Sequence, residues 1–194
     1  MPRRPLTRLA HEAVAAVLHD GDLAVDATVG NGHDTLFLAR AVGPHGRVIG
    51  FDIQRPAIAK AQSRLAEAGL AQRVELHLTG HERLADFLPA SLEGPPLAAA
   101  MFNLGYLPGA DKTCITRPHS TRQALAAAWS ALRPGGLISV LVYIGHPGGV
   151  DELDAVQAWL DALADPALAV QSLRGPAAAS PVLFLIRRRA DPGG

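Results

Sequence analysis

The sequence predicts a single α/β domain built on a seven-stranded, mostly parallel sheet, with helices on both faces and an antiparallel hairpin at its carboxyl end. Short apolar runs alternate with helical patterns through the first hundred residues, which is typical of strand–helix–strand crossover units. The last third lacks that alternation and ends in two strand-like runs. At 194 residues with 48% apolar content, the chain can form one full core. We therefore expect one domain over 1–189 and a disordered tail over 190–194.

Each element follows from hydrophobic spacing. Apolar residues recur every three to four positions in the helical segments and run together in the strands. The β-branched fifth run is typical of a central parallel strand. The predicted strands are 23–27, 47–52, 74–78, 97–102, 137–143, 170–173 and 182–186. The predicted helices are 6–18, 35–42, 56–68, 120–132 and 151–163.

Turn and cap residues mark the ends of these helices. Asp34 is a candidate N-cap for the second helix, and Pro56 suits the first turn of the third. Gly69 is a typical C-terminal stop for that third helix. The segments 43–46 and 133–136 are rich in glycine and proline, so both are predicted to be turns.

Composition excludes several classes of protein. The 18 basic and 18 acidic residues balance, so no global charge indicates a nucleic-acid coat, although arginines near both ends could form a basic patch or simply aid solubility. The single Cys114 excludes an internal disulfide and fits a reducing compartment. No apolar run approaches the roughly 20 residues of a membrane span, and charged residues interrupt the apolar positions near the start. We therefore expect a cytoplasmic protein without a secretory signal.

Polar and glycine-rich segments lie at the carboxyl ends of the first four predicted strands. They are Asp26-Ala-Thr-Val-Gly-Asn-Gly32, Asp52-Ile-Gln54, Gly80-His-Glu82 and Asn103-Leu-Gly-Tyr106. In an open parallel sheet, ligands bind beyond the carboxyl ends of the strands, near the point where the strand order reverses. One glycine-rich turn can be only a tight connection, whereas four such segments at one edge predict a binding site.

Asp52 indicates an adenosine-containing ligand, because a carboxylate after the second strand can accept both hydroxyls of a ribose. The dinucleotide pattern is incomplete, since Thr28 replaces its first glycine and no third glycine follows. A P-loop is excluded by the lack of Gly-Lys-Ser/Thr. S-adenosylmethionine carries no phosphates, and Asp26, Gly30 and Gly32 supply the acid and the pliant backbone expected near its methionine end.

We therefore expect S-adenosylmethionine as the cofactor, and the strand order resembles the Rossmann-like class I methyltransferase fold. The candidate cofactor-binding residues are Asp26, Thr28, Gly30, Asn31, Gly32, Asp34, Thr35, Asp52, Gln54, His81, Glu82 and Asn103. Asp34 could instead only cap its helix, and Glu82 could reach the adenine amino group or lie on the surface. His77 and His81 fall on a strand and the loop after it, so no metal site is expected.

Asn103-Leu-Gly-Tyr106 narrows the methyl acceptor. Class I enzymes that methylate amino groups carry a related Asn/Asp-Pro-Pro-Tyr/Phe turn after the fourth strand. Asn103 retains the hydrogen-bond acceptor and Tyr106 the stacking face, although Leu-Gly replaces Pro-Pro. The alternative is an ordinary turn in which Tyr106 caps the core.

Several longer motifs resemble the MnmM-type tRNA 5-(aminomethyl)-2-thiouridine methyltransferases, a family also described as rRNA methylases. The motifs are Asp26-Ala-Thr-Val-Gly-Asn-Gly-His-Asp-Thr35, Phe51-Asp-Ile-Gln54, Phe102-Asn-Leu-Gly-Tyr-Leu-Pro-Gly-Ala-Asp-Lys112, Leu132-Arg-Pro-Gly-Gly136 and Tyr143-Ile-Gly-His-Pro-Gly-Gly149. Ala110 departs from the family pattern, which has glycine there. The resemblance implies methyl transfer from S-adenosylmethionine to 5-aminomethyl-(2-thio)uridine at the wobble position, in the anticodon stem-loop of tRNA. The product would be the 5-methylaminomethyl form.

Within this resemblance, two loops would act on the acceptor amine. Asn103 and Tyr106 would orient it, and Asp111 and His146 are candidates to take or relay its proton. Lys112 would meet a phosphate or a uracil carbonyl. For Asp111 and Lys112 the alternative is a solvated salt bridge, and for His146 it is a simple turn histidine.

Three other functions stay open at this point. The first is a methyltransferase of another RNA or of a small amine, the second is a catalytically silent methyltransferase-like subunit, and the third and most distant is a dinucleotide oxidoreductase. The oligomeric state is open as well, because a homodimer of so small a domain could extend an RNA-binding surface.

Overall fold

The computed structural model describes residues 4–88, 96–105, 116–177 and 179–190. Its centre is a seven-stranded sheet. The strands are β1 (Leu23–Asp26), β2 (Arg47–Asp52), β3 (Val74–Leu78), β4 (Leu97–Leu104), β5 (Leu132–Val142), β6 (Leu168–Arg174) and β7 (Val182–Arg188). The α-helices are α1 (Leu6–Ala15), α2 (His33–Ala41), α3 (Arg55–Glu67), α4 (Pro118–Ala131) and α5 (Gly149–Ala162), and short 3-10 helices cover Ala71–Arg73 and His81–Asp86.

The strand order is β3-β2-β1-β4-β5-β7-β6. The first five strands pair in parallel, whereas β7 is antiparallel to both β5 and β6. The chain moves outward from β1 to β3 and then returns to β4 on the other side of β1. The order therefore reverses between β1 and β4, which opens a crevice at their carboxyl ends. The predicted parallel sheet and its terminal hairpin are confirmed.

Apolar side chains fill both faces of this sheet. Helices α4 and α5 pack on one face, over a cluster that includes Phe102 and Trp159. Helices α1, α2 and α3 pack on the other face, over a cluster that includes Val14 and Leu38. Strand β5 is buried throughout 137–142, as expected for a central strand covered on both sides.

Most predicted bounds differ from the observed ones by a few residues, and the ends of α1 and β4 differ for a physical reason. Helix α1 ends at Ala15 rather than at residue 18, although Val17 and Leu18 are buried. The helical spacing of apolar residues therefore continues through a turn that buries them without continuing the helix. Strand β4 extends to Leu104, because Asn103 and Leu104 pair with β5. Asn103 thus lies inside the last part of the strand rather than after it.

The predicted turn at 133–136 is an insertion within β5. Leu132 pairs with Leu97 and Leu137 pairs with Ala99, so the four intervening residues lie opposite one residue of β4. Arg133 points from this bulge to the segment that precedes β1. It donates to the Val17 carbonyl at 2.8 Å and to the Asp22 carboxylate at 2.9 Å. The bulge therefore joins the start of β5 to the segment after α1.

The predicted N-cap role of Asp34 is wrong. Gly32 is the N-cap of α2, and no side chain caps that helix end. Gly32 has a φ of 75°, and a Cβ there would lie 2.8 Å from the Ala61 Cα on α3. This glycine therefore meets two demands, a left-handed backbone and close packing of α3 against the turn. The Asp34 carboxylate is used elsewhere, as described below.

No helix within the described ranges is both long and apolar enough to cross a membrane. Cys114 and residues 191–194 of the predicted tail lie outside those ranges.

Gly32→Ala should destabilise the protein more than an alanine at another left-handed glycine. Gly69 has a similar φ of 68°, but a Cβ there would meet nothing within 4 Å, so Gly69→Ala is the matched control. We expect a loss of about 1 kcal/mol in the free energy of unfolding for Gly69→Ala and about 3 kcal/mol for Gly32→Ala. Urea denaturation measures both losses, and equal losses would contradict the close packing of α3.

Candidate active site

A cavity of about 1020 Å³ opens where the strand order reverses. It lies at the carboxyl ends of β1, β2 and β4, and residues of α1 and α4 contribute to its walls. Nine of the twelve residues expected to contact a cofactor line this cavity: Thr28, Gly30, Asn31, Asp34, Asp52, Gln54, His81, Glu82 and Asn103. The sequence analysis assigned residues of four separate segments to one site. In the structure, residues of all four segments line one cavity.

Asp26, Gly32 and Thr35 lie beneath the lining rather than in it. Asp26 is 0% exposed. Its carboxylate accepts a hydrogen bond from Thr35 Oγ1 at 2.6 Å and from the Thr28 backbone N–H at 3.1 Å. The sequence predicted that these three residues contact the cofactor, whereas the structure places Asp26 and Thr35 as supports of the turn above them.

Burial, and after it the nearby charge of Asp34, raise the pKa of Asp26 to about 7, although the hydrogen bonds from Thr35 and Thr28 lower it. Burial and a nearby negative charge both favour the neutral, protonated form of a carboxyl group. The turn therefore rests on an acid that can hold a proton near neutral pH.

Asp52 ties the turn after β1 to the end of β2. Its Oδ2 accepts the Gly30 N–H at 2.8 Å, and its Oδ1 accepts the Gln54 N–H at 2.8 Å. Each carboxylate oxygen has a second lone pair, so both can still accept a hydrogen bond from a ligand in the cavity. The role of Asp52 in receiving the two hydroxyls of a ribose stays a prediction.

Asn103 lies on the β4 side of the same turn. Its backbone N–H donates to Thr28 Oγ1 at 2.7 Å, and its side-chain Nδ2 donates to Asp34 Oδ2. The other oxygen of Asp34 accepts His11 Nε2–H from α1 at 2.6 Å. The His11 ring stacks on Phe37, with centroids 4.0 Å apart and planes 3° from parallel.

His81 fixes the segment after β3. Its Nδ1–H donates to the Ala27 carbonyl at 3.0 Å, and burial lowers its pKa. The ring is therefore neutral, and its Nε2 is an acceptor beside the cavity. Glu82 comes next, and its carboxylate folds back over the Cα of Gly80.

The opposite wall carries Tyr143 and His146. Burial raises the pKa of Tyr143, and the charge of Asp34 raises it further, so the phenol keeps its proton. His146 donates Nδ1–H to the Pro147 carbonyl at 2.8 Å. Both side chains lie against Gly105, which follows Asn103-Leu104. Three residues with predicted roles, Tyr106, Asp111 and Lys112, lie outside the described ranges.

Sequence reasoning missed four residues at or near this cavity. Ile53 lines it and is 58% exposed, and its place directly after Asp52 was the signal that could have found it. Tyr143 was visible as the first residue of a motif. His11 had no signal, because its partner is 23 residues away. Glu152 of α5 is 1% exposed and its pKa is raised by burial, whereas the sequence shows only an acidic helix start.

Solved structures identify the class of protein. SMU.1697c from Streptococcus mutans, described as a putative methyltransferase and solved in complex with SAH, gives a TM-score of 0.83 at 33% identity. That match covers 96% of this chain and 98% of the other. A parallel sheet with this strand order and a cavity at its reversal point is the class I methyltransferase fold, as the sequence predicted.

The chain belongs to the family described as Putative rRNA methylase, whose model matches residues 48–187. A crystal structure of a protein of that description from Clostridium thermocellum gives a TM-score of 0.90 at 37% identity, over 97% of this chain and 100% of the other. A tRNA (mnm(5)s(2)U34)-methyltransferase, chloroplastic, from Arabidopsis thaliana is 42% identical over 81% of this chain. This chain spans 59% of that relative's length. The family resemblance drawn from the motifs is confirmed.

Asp26 should make the stability of the protein depend on pH. Its pKa is 3.8 in the unfolded chain and about 7 in the folded protein, so between these values only the folded protein holds the proton. The free energy of unfolding should therefore fall as the pH rises, by about 2–3 kcal/mol between pH 5 and pH 8. Asp26→Asn should lack this contribution.

Urea denaturation of both proteins at the two pH values measures the effect, and the difference between their curves removes the contribution of other groups. Parallel curves would show that Asp26 titrates alike in the folded and unfolded states.

Proposed function

We propose that this chain is an S-adenosylmethionine-dependent N-methyltransferase that converts 5-aminomethyl-(2-thio)uridine at the tRNA wobble position to its 5-methylaminomethyl form. The observation that carries the proposal is the placement of Asp52 and Asn103 on opposite sides of one turn in one cavity. The Asp52 carboxylate is suited to bind a ribose, and the Asn103 carboxamide is suited to bind an amine. The name of the Arabidopsis thaliana relative supports the choice of substrate.

The cavity suits the proposed cofactor. Its volume of about 1020 Å³ accommodates a nucleoside-sized ligand together with part of an acceptor. Asp52 would accept the ribose hydroxyls, and the exposed Ile53 side chain would pack on the adenine ring. His81 and Glu82 would lie near the adenine edge, and the turn residues Thr28, Gly30 and Asn31 would face the rest of the cofactor. When bound, S-adenosylmethionine supplies an electrophilic methyl group.

The residues around Asn103 would prepare the acceptor amine. A free aliphatic amine is cationic in water, and a cavity beside another positive charge favours its neutral form. The Asn103 carboxamide oxygen would accept a hydrogen bond from the amine and direct its lone pair at the methyl group. His146 and Asp111 are the candidates to take or relay the proton that the nitrogen gives up. Alignment of this kind is worth up to about 7–11 kcal/mol, so no strong base is required.

Basic side chains near the mouth of the cavity suit an RNA partner. Arg117 and His119 line it and are exposed, and Arg122 is exposed one helical turn further along α4. They are placed to meet phosphates of an anticodon stem-loop, with Tyr106 and Lys112 proposed to hold the base. A reducing, cytoplasmic location would suit this substrate, and a homodimer remains a further proposal.

Asp52→Asn should weaken cofactor binding. The loss of charge-assisted hydrogen bonds to a ribose should raise the Kd for S-adenosylmethionine about 10- to 100-fold. Isothermal titration calorimetry measures this Kd. The control is Asp86→Asn, since Asp86 pairs with Arg83 in an exposed ion pair and does not line the cavity. An unchanged Kd for Asp52→Asn would contradict the proposal that Asp52 binds the ribose.

Methyl transfer tests the substrate. The protein should convert the aminomethyl nucleoside in tRNA from a strain that lacks this activity, as detected by nucleoside mass spectrometry. If no 5-methylaminomethyl nucleoside forms, the proposal is wrong. Equal methylation of a free aminomethyl nucleoside would favour a small-amine methyltransferase instead.

A further inference from the structure

A line of polar contacts joins α1 to the end of β4 along the cavity wall. His11 donates to one oxygen of Asp34, and the Asn103 side-chain amide donates to the other oxygen. The three residues come from α1, α2 and β4, and 23 and 69 positions separate Asp34 from its two partners. The Asp34 carboxylate does not cap α2. Its interactions in the folded protein are instead these two hydrogen bonds, to α1 and to β4.

The carboxylate of Asp34 determines which way the Asn103 carboxamide faces. A carboxamide has a donor end and an acceptor end of nearly the same shape, so it can flip between two orientations. An ionised carboxylate only accepts hydrogen bonds, and it therefore selects the orientation in which Nδ2 faces Asp34. The backbone N–H of Asn103 donates to Thr28 Oγ1 at 2.7 Å, and this hydrogen bond fixes the backbone position from which the side chain extends. Its oxygen is then directed away from Asp34.

His11 holds Asp34 in this position. The stacking of its ring on Phe37 limits the ring to one plane. The side chain of Asp34 is only 12% exposed and that of His11 is 31% exposed, so water screens their contact less than it screens a surface pair. Asp34 therefore has one oxygen fixed by α1 and the other available to fix Asn103.

We propose that Asp34, braced by His11, is a positioning residue that keeps the carboxamide oxygen of Asn103 directed at the acceptor amine. This inference rests on the proposed function, because only an amine acceptor gives that orientation a chemical consequence. The flipped carboxamide would present N–H groups to the amine and bind the lone pair that must attack. The fixed orientation leaves that lone pair for the methyl group. The competing role for Asp34 is direct contact with the cofactor.

Two variants separate these roles, and the chain offers a matched control pair. Asp34→Asn keeps the shape but no longer forces one carboxamide orientation, and His11→Phe keeps the ring stack but cannot donate. The controls are Asp20→Asn and His45→Phe, an exposed histidine–aspartate pair 2.8 Å apart near the amino ends of β1 and β2. The measurements are kcat with tRNA, the Kd for S-adenosylhomocysteine by calorimetry, and the melting temperature.

Asp34→Asn should lower kcat about 10- to 100-fold and His11→Phe about 3- to 10-fold, because a misdirected acceptor group loses alignment. The Kd for S-adenosylhomocysteine should stay within about threefold of the wild-type value in both variants, which also shows that the cavity has folded. The control variants should keep kcat within about twofold, since they lie far from the cavity.

An unchanged kcat in Asp34→Asn would overturn the inference. So would a Kd raised about tenfold or more with kcat retained at saturating cofactor, since that result assigns Asp34 to cofactor binding. A wild-type protein that binds S-adenosylhomocysteine but transfers no methyl group to the tRNA would overturn the proposed function itself. The activity of the wild-type protein therefore distinguishes the two failures.

Discussion

The turn after β1 is held by hydrogen bonds from three neighbouring strands, and the cavity depends on this arrangement. Asp26 at the end of β1 binds the Thr28 N–H from below. Asp52 on β2 binds the Gly30 N–H, and the backbone N–H of Asn103 on β4 binds the Thr28 hydroxyl. Parallel pairing of β1 with both β2 and β4 brings these groups side by side. These hydrogen bonds hold the turn after β1 in one position, so that it forms a fixed wall of the cavity.

This arrangement also orders the proposed reaction along the cavity. Since β2 and β4 flank β1, a group bound by Asp52 lies on one side of the turn and a group bound by Asn103 lies on the other. In the proposed reaction the ribose would occupy the β2 side and the acceptor amine the β4 side. The cofactor would then span the turn between them, and its methyl group would face the amine without any movement of the sheet. In the proposed reaction the strand order would supply much of the alignment that methyl transfer needs.

Much of the fold was predictable because its signals are local. The bounds of β2 and β3 follow directly from apolar runs that turn residues delimit, and Asp52 was found from its position at a strand end. The roles of Asp34 and Gly32 were not found in this way. Both depend on partners that only the folded chain brings near, His11 and Asn103 in one case and Ala61 in the other.

The supporting contacts of Asp26 could not be predicted for a similar reason. Its sequence position after an apolar strand is shared by acids that face a ligand and by acids that support a turn. What decides between them is the direction of the side chain at the last residue of a central strand, where Asp26 meets Thr35 of α2 instead of the cavity. Spacing along the chain contains no information about that contact, which depends on how α2 packs on the sheet.

The account rests on a turn that presents Asp52 to an adenosine ribose and Asn103 to the reacting end of the same ligand. A crystal structure of the protein with S-adenosylhomocysteine tests this most directly. We expect both ribose hydroxyls within hydrogen-bond distance of the Asp52 carboxylate, the sulfur on the side of Asn103, and no contact between the ligand and Asp26. A ligand bound outside this cavity, or one whose ribose avoids Asp52, would contradict the account.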